Sequence, residues 1–244
     1  MPFKHGSKTS VYLDGADMSP YLNQADWSSD QESAETTTFN ATWKTHIAGR
    51  NSAKAGFAGY YDPLQLQLET HLAAGVGSLV SGVLTVCQGG TVIGDDARLF
   101  SVTSSSYAES SPVGGVIAVK WDTETTTAVG TGWVLHPLGS DTDTTTGATR
   151  DDAAATATGY IGHLQVTAQN ATSWVVVIQD ASASNFSDGA TVMTFTAATG
   201  KTSQRIVSAT NTTALRRYVR YVATRTGGSA ASTITFQLSY ARNS

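Results

Sequence analysis

Residues with chemical potential are scattered along this chain, and their spacing decides what they can do. The five histidines are His5, His46, His71, His136 and His163, and no two form an H-x-x-x-H pair. A zinc site needs closely spaced His and Cys ligands, and the single cysteine, Cys87, sits in the apolar run LVSGVLTVC, where it reads as a buried hydrophobe. The glycine-rich AAGVGSLVSG lacks the G-x-S-x-G spacing of a nucleophile turn. It also misses G-x-G-x-x-G, because Val80 stands at the third glycine. Asp95-Asp96, Asp141/Asp143 and Asp151-Asp152 fall in turn-like or low-complexity stretches. Glycoside cleavage needs two carboxyls facing each other across a cleft, and the Asp141-Thr142-Asp143 start of a calcium loop lacks the later glycine and glutamate. Solvated acids are favoured there over a Ca²⁺ site. No catalytic, cofactor-binding or metal-binding set is assigned, and the chain is expected not to be an enzyme.

What remains is charge placed for contact. Asp26, Asp30, Glu32 and Glu35 precede a basic stretch carrying Lys44, Arg50 and Lys54. Opposite patches of this kind can meet between copies, and a heterologous interface generates rings or open tubes. The alternative is an ordinary solvated loop. A second cluster, Arg205, Arg216, Arg217, Arg220 and Arg225, stands out in a charge-poor chain. Strand alternation would put Arg216 and Arg220 on one face with Tyr218, as subunit-interface candidates. The equal alternative is edge charge that blocks aggregation.

The elements that would position these residues are mostly strands. Ser10–Leu13 meets the turn pair Asp14-Gly15, and an extended segment follows over Tyr21–Ser28. The stretch Lys44–Gly56 reads as a glycine-punctuated loop and Gly56–Tyr61 as a strand. Asp62 and Pro63 suit a helix start, Leu64, Leu68 and Leu72 recur on one helical face, and Gly75 can stop it. Further strands are expected over Leu79–Cys87, Arg98–Thr103, Val113–Thr123 and Val129–Leu135, with Ser104–Pro112 as a loop. Residues 138–157 contain no large apolar side chain after Leu138 and read as a linker. Beyond it, strands are expected over Tyr160–Ala168, Ser173–Asp180, Ala190–Ala197, Ser203–Val207, Leu215–Thr224 and Thr233–Tyr240. The predicted fold is all-β. It comprises an N-terminal barrel or sandwich with one lateral α-helix (residues 1–137), a linker (138–157) and a C-terminal jelly-roll-like β-sandwich (158–244).

Composition bounds the function. Charged residues make up 14% of the 244, with a formal net charge of -4, which argues against a nucleic-acid binder. One cysteine excludes an intrachain disulfide framework. No basic, then apolar, leader opens the sequence and no run of 18 apolar residues occurs, so a soluble protein made in a cytoplasm, without a membrane partner, is expected. Sequons at Asn40, Asn170, Asn185 and Asn211 are then chance in a Thr-rich chain.

The run from Ser10 to Pro63 carries the pattern V-x-L-D-G (Val11–Gly15), D-x-S (Asp17–Ser19), E-T-T-T-F (Glu35–Phe39) and K-x-x-I-x-G (Lys44–Gly49). This order resembles the N-terminal part of tail tube (major tail) proteins of long-tailed bacteriophages, closely to residue 60 and loosely to Leu135. The string from WVVVIQDAS to STITFQLSYAR resembles the extra C-terminal sandwich that some phage tail tube and decoration proteins carry. The resemblance implies a structural virion protein of the tail, made in the host bacterial cytoplasm. Its copies would form hexameric rings stacked into a DNA conduit beside other virion proteins, with passing DNA not specifically bound. It further implies that Lys44, Arg50 and Lys54 are inter-ring contacts. Two alternatives are a capsid decoration or head-surface protein, and a carbohydrate-binding adhesin using Trp174, Tyr218 or Tyr221 as stacking platforms.

Overall fold

The computed structural model describes residues 6–38, 42–61, 76–77, 81–88 and 92–243. The helix expected over 62–75 lies outside the described residues. The first strands are β1 (Ser10–Leu13), β2 (Ala16–Asp17), β3 (Leu22–Glu35), β4 (His46–Tyr60) and β5 (Gly82–Gln88). Next come β6 (Asp96–Ser110), β7 (Ala118–Thr125), β8 (Gly130–Thr142), β9 (Thr145–Thr146) and β10 (Arg150–Asp151). The last are β11 (Tyr160–Gln169), β12 (Ser173–Ala181), β13 (Ala190–Thr194), β14 (Thr202–Val207), β15 (Tyr218–Thr226) and β16 (Thr233–Arg242). The described chain is almost entirely antiparallel β, as the Thr and Val content favours.

Two compact units result. One holds Met1–Pro20, Gly82–Phe100 and Gly130–Ser244, the other Tyr21–Ser81 and Ser101–Val129. These units divide the chain differently from the boundaries expected at 138–157. β8 runs through Thr142 and pairs with β16 over most of its length, so a strand from the first half joins the C-terminal sandwich. The sandwich faces β14-β11-β16-β8 against β10-β15-β12-β13, with β9 also on β15. Its core is filled by Trp174, Val176 and Ile178 of β12, Val219 and Tyr221 of β15, and Leu164, Phe236 and Leu238 of β11 and β16. Trp174, Val176 and Ile178 alternate with half-buried residues, the period-2 pattern of a strand with one face inward.

β11 and β16 are buried on their other face too, and that face is polar. His163 and Gln165 stand opposite Ser239 and Gln237, and all four are buried. β8 leads through β6 and β5 to β1, and β5 supplies the partners. Gln165 Nε2 donates to the Val83 carbonyl at 2.8 Å and to Thr85 Oγ1 at 3.2 Å. Its Oε1 accepts the Gly15 amide at 2.8 Å. The turn pair expected at Asp14-Gly15 is therefore a latch. Asp14 accepts the Val83 amide and the Ser203 hydroxyl. Gly15 has φ +77° and a Cβ there would stand 2.8 Å from the Val166 carbonyl, so both backbone and space require glycine. His163 Nε2 lies 2.7 Å from an Arg205 guanidinium nitrogen and Nδ1 lies 3.1 Å from Thr85 Oγ1. Since Arg205 can only donate, His163 is the neutral tautomer with its proton on Nδ1.

The stretch 138–157, with no large apolar side chain after Leu138, is held largely by charge. The Asp152 side chain is 1% exposed and accepts Arg150 Nε at 2.6 Å, Tyr240 Oη at 2.6 Å and Arg242 Nε at 2.9 Å. Arg242 also donates to the Leu215 and Arg216 carbonyls, and Arg150 lies over the Trp133 ring. Asp151 takes a two-point bond from Arg217, Asp143 pairs with Arg225, and Asp141 accepts the Tyr221 hydroxyl. Gly147 lies against Tyr221, where a Cβ would overlap the ring. The acids and the arginines that the sequence offers as separate clusters thus satisfy each other.

Two outcomes follow from this electrostatic frame. Asp152→Ala leaves Arg242 and Arg150 without their buried anion, and should cost about 3–5 kcal/mol of unfolding free energy by denaturant titration. Stability should also fall on acidification in two steps. Burial first, and Arg205 second, hold His163 well below its ordinary value of 6.5, so the unfolded chain takes up a proton below about pH 6.5 that the folded one refuses. The Arg217 hydrogen bonds hold Asp151 at about 2 against 3.8, so its contribution is present above pH 3.8 and lost toward pH 2. His163→Gln should flatten the upper step in a pH-resolved denaturation series and leave the lower one.

Candidate assembly surface

The second unit is built on one antiparallel sheet in the order β3-β4-β7-β6. Register places Ala25, Phe57, Trp121 and Tyr107 in one row and Asp26, Gly56, Asp122 and Ser106 in the next. Because neighbours along a strand point to opposite faces, these rows define two unlike surfaces. On one, Ala53, Ala55, Phe57, Val119, Trp121 and Thr123 are buried. Phe57 stacks on Trp121 at 4.9 Å, and the Trp121 indole N–H donates to Ser104 Oγ.

The other surface is polar and open. Lys54 and Glu124 are register partners and form an ion pair at 3.3 Å, with both side chains more than half exposed. Lys120 pairs with Asp122 at 3.3 Å, and Asp122 also accepts the Ser106 hydroxyl. Asp26 and Asp30 alternate onto the same surface from β3. Asp26, Asp30, Asp122 and Glu124 there outnumber Lys54 and Lys120, so this surface is net acidic.

Past Lys54 the sheet narrows to a two-stranded ribbon, since β7 pairs with β4 only over Lys54–Tyr60. Ser28–Glu35 and His46–Ala53 continue alone, with a register shift between Gln31 and Ser33 that sets Glu32 beside Gly49. The stretch Lys44–Gly56, expected as a loop, is strand from His46 onward. Likewise Ser104–Ser110, also expected as a loop, belongs to β6. Both are small and polar, so no apolar alternation marks them, and the backbone ladder alone makes the strand. The ribbon end is tied by the Thr36 amide to the Thr45 carbonyl, the Thr45 amide to Thr37 Oγ1, and a Lys44–Glu35 ion pair at 3.2 Å.

The acidic and basic residues singled out by sequence therefore share one ribbon. Glu35 and Lys44 meet within the chain, and Lys54 meets Glu124 rather than a ribbon acid. Asp30, Glu32 and Arg50 are exposed and have no ion-pair partner among the described residues. Arg216 and Arg220 lie in the first unit and are engaged internally. Arg216 grips buried Asp180 through Nε and Nη2 at 2.9 and 2.6 Å and reaches Asp188. Arg220 donates to Gln179 and lies over the Phe186 ring at 4.0 Å. β15 starts at Tyr218, so Arg216 precedes the strand that was expected to hold it. The alternation of Val119 and Trp121 with Lys120 and Asp122 marks the half-exposed face of β7 in the sequence, but Lys120, Asp122 and Glu124 are not among the interface candidates it offers.

Other sites offer less. Among the described residues no group of three or more His, Cys, Asp or Glu could hold a metal ion. Trp174 and Tyr221 are buried, and Arg217 lies over the Tyr218 ring, so none of the three presents an open stacking platform. An open groove of about 410 Å³ lies among Thr194, Thr196, Thr202 and Gln204. Its Gln204 amide is already bonded to both backbone groups of Thr196.

No protein-family model matches the chain, and no curated protein matches it. Among solved structures, it is similar to a chain of the virion of a native gene transfer agent particle. That likeness has a TM-score of 0.43 and 13% identity over 52% of this chain and 97% of the other. It is also similar to the SPP1 tail tube, with a TM-score of 0.41 and 13% identity over 51% of this chain and 77% of that one. A third likeness is to the SPP1 Dit protein, described as a hub of the adsorption apparatus in phages infecting Gram-positive hosts. Its TM-score is 0.37 at 13% identity over 94% of this chain and 98% of that one. TM-scores below 0.5 do not establish a common fold.

Proposed function

We propose that this chain is a structural, non-enzymatic virion subunit that assembles with its own copies into the rings of a phage tail tube. The observation that carries the proposal is the sheet β3-β4-β7-β6, which has one buried face, one open polar face and, among the described strands, two edges without a full partner strand. Among the described strands β3 pairs with β4 alone. Among the described residues, the ladder of β6 over Val102–Ser110 is with β7, and Val76 bridges to Ser104. A long exposed edge is a template for another chain. Joining the β3 edge of one copy to the β6 edge of the next is a heterologous contact, which closes into a ring when the rotation between copies allows it. Closure leaves no free edge, and it would turn the open polar faces toward a common lumen or a common exterior.

In the lumen, Asp26, Asp30, Asp122 and Glu124 would repel phosphates rather than grip them. Binding to DNA is dominated by lysine and arginine contacts to the backbone, so a net-acidic wall suits a conduit through which DNA slides. Six-fold symmetry and the virion tail as location come from the sequence resemblance of Val11–Gly49 to tail tube proteins. Negative-stain imaging of the purified protein tests the reading: rings or tubes with a central channel are expected. Isolated three-fold knobs, or a protein that stays monomeric at high concentration, would overturn it.

A further inference from the structure

Strand β14 of the first unit is held along one side. Among the described strands it pairs with β11 alone, from Thr202↔Val166 to Val207↔Ile161. Its alternate side chains make two kinds of tie. Gln204 bonds both backbone groups of Thr196, and Ile206 packs on the sandwich core. On the opposite face Ser203 donates to Asp14, and Arg205 donates to the His163 ring at 2.7 Å and to the Leu99 carbonyl at 3.4 Å. His163 is fully buried, and it can accept from Arg205 only while Nε2 carries no proton.

The groups around the ring make it a poor place for a second proton. Arg205 comes from β14, Thr85 from β5 and Ser239 from β16. Register puts Tyr12 of β1 and Cys87 of β5 on the Thr85 face. Burial pushes both upward, Cys87 to about 12, so neither is an anion in acid. β6 and β8 add Ala97, Leu99 and Val134, packed with Tyr12 and Cys87. Asp17 and Asp95 act on Cys87, whereas the charge acting on His163 is that of Arg205. Desolvation brings Arg205 down only to about 10, so it stays a cation. The Leu84 carbonyl favours a charged ring, less strongly than burial and Arg205 oppose it. Lys201 and Asp14 lie beyond, beside the start of β14.

We infer that β14 is an acid-releasable edge: a second proton on His163 strips Arg205 of its acceptor, sets two cations against each other, and frees β14 from β11 while the sandwich stays folded. The proton comes from solvent and goes to Nε2. The closed state refuses it, so opening takes it up. Below about pH 6.5 the opened segment therefore binds one proton more than the closed one. Each further pH unit of acidification then raises the open population about tenfold. What leaves is one short strand, and β11 keeps its ladder with β16 from Tyr160 to Gln169. Release uncovers the Ile161–Val166 edge of β11, which becomes a template for another strand. The device lies within the first unit and does not depend on how copies assemble.

Amide hydrogen exchange of the whole chain across this pH range, with and without sub-denaturing urea, tests the release. Protection of the β14 amides bonded to β11 should lie below that of β12 and β15. It should fall about tenfold per pH unit below about pH 6.5. Urea should hardly change it, because little surface opens. His163→Gln can still accept from Arg205 through its amide oxygen but takes no proton, so it should remove the pH slope. Protection of β14 that does not change with pH overturns the inference, as does a slope that survives in His163→Gln. Protection equal to that of β12 at every pH also overturns it, since opening would then be global unfolding alone. Should His163→Gln fail to fold, the pH and urea profiles of the unaltered chain decide by themselves.

Discussion

Backbone hydrogen bonding at an open sheet edge is the constraint on which the rest of this protein turns. Each strand residue carries an amide and a carbonyl that need partners, and β3 supplies a fourteen-residue row of them that pairs, among the described strands, with β4 alone. A two-stranded ribbon is marginal in water without a face to bury. Ser28–Glu35 is exposed throughout, and apart from Ala53 so is the described part of the strand opposite. Phe57 and Trp121 anchor the root of the ribbon, but nothing described in the chain covers its outer half. A polar edge of this kind suits the proposed pairing of β3 with the β6 edge of a second copy.

The first unit answers the same constraint internally. Its strands pair through a sandwich whose apolar core needs no partner, and its reverse face buries His163, Gln165, Gln237 and Ser239. Buried polar groups are costly unless bonded, and Gln165 alone meets Val83, Thr85 and Gly15. The Asp14-Gly15 turn is thereby fixed to strands some 150 residues later in the chain. Asp152, Arg242 and Tyr240 do the same for the stretch after β8. The units contrast in the described residues: the first buries much of its polar side-chain content against intrachain partners, whereas the ribbon of the second is exposed along β3.

The all-β class and most strands of the C-terminal sandwich were legible from apolar runs such as Trp174–Ile178 and from alternation such as Ile234, Phe236 and Leu238 against Thr233, Thr235 and Gln237. The ribbon was not legible as strand, because Asp30–Glu35 and His46–Lys54 bury almost nothing and so carry no periodic signal. Residues 138–157 read as a linker for a related reason. Apolar content measures core packing, whereas this segment is held by Asp151 and Asp152, whose distant partners Arg217, Tyr240 and Arg242 lie from 66 to 90 residues away, and by Gly147 against a ring that only a missing Cβ admits. Arg216 and Arg220 drew attention as conspicuous charges, but a sequence does not show that Asp180 and Phe186 wait beside them. The acidic face was half visible in the alternation of β7, and completing it needed the register that sets Asp26 beside Gly56 and Asp122.

Amide hydrogen exchange along β3, compared between dispersed and assembled protein, tests the central claim most directly. If the edge is the joint between copies, the outward-facing amides of residues 28–35 exchange freely in dispersed protein and become strongly protected on assembly, in alternation with those already bonded to β4. Protection that is the same in both states would contradict the account.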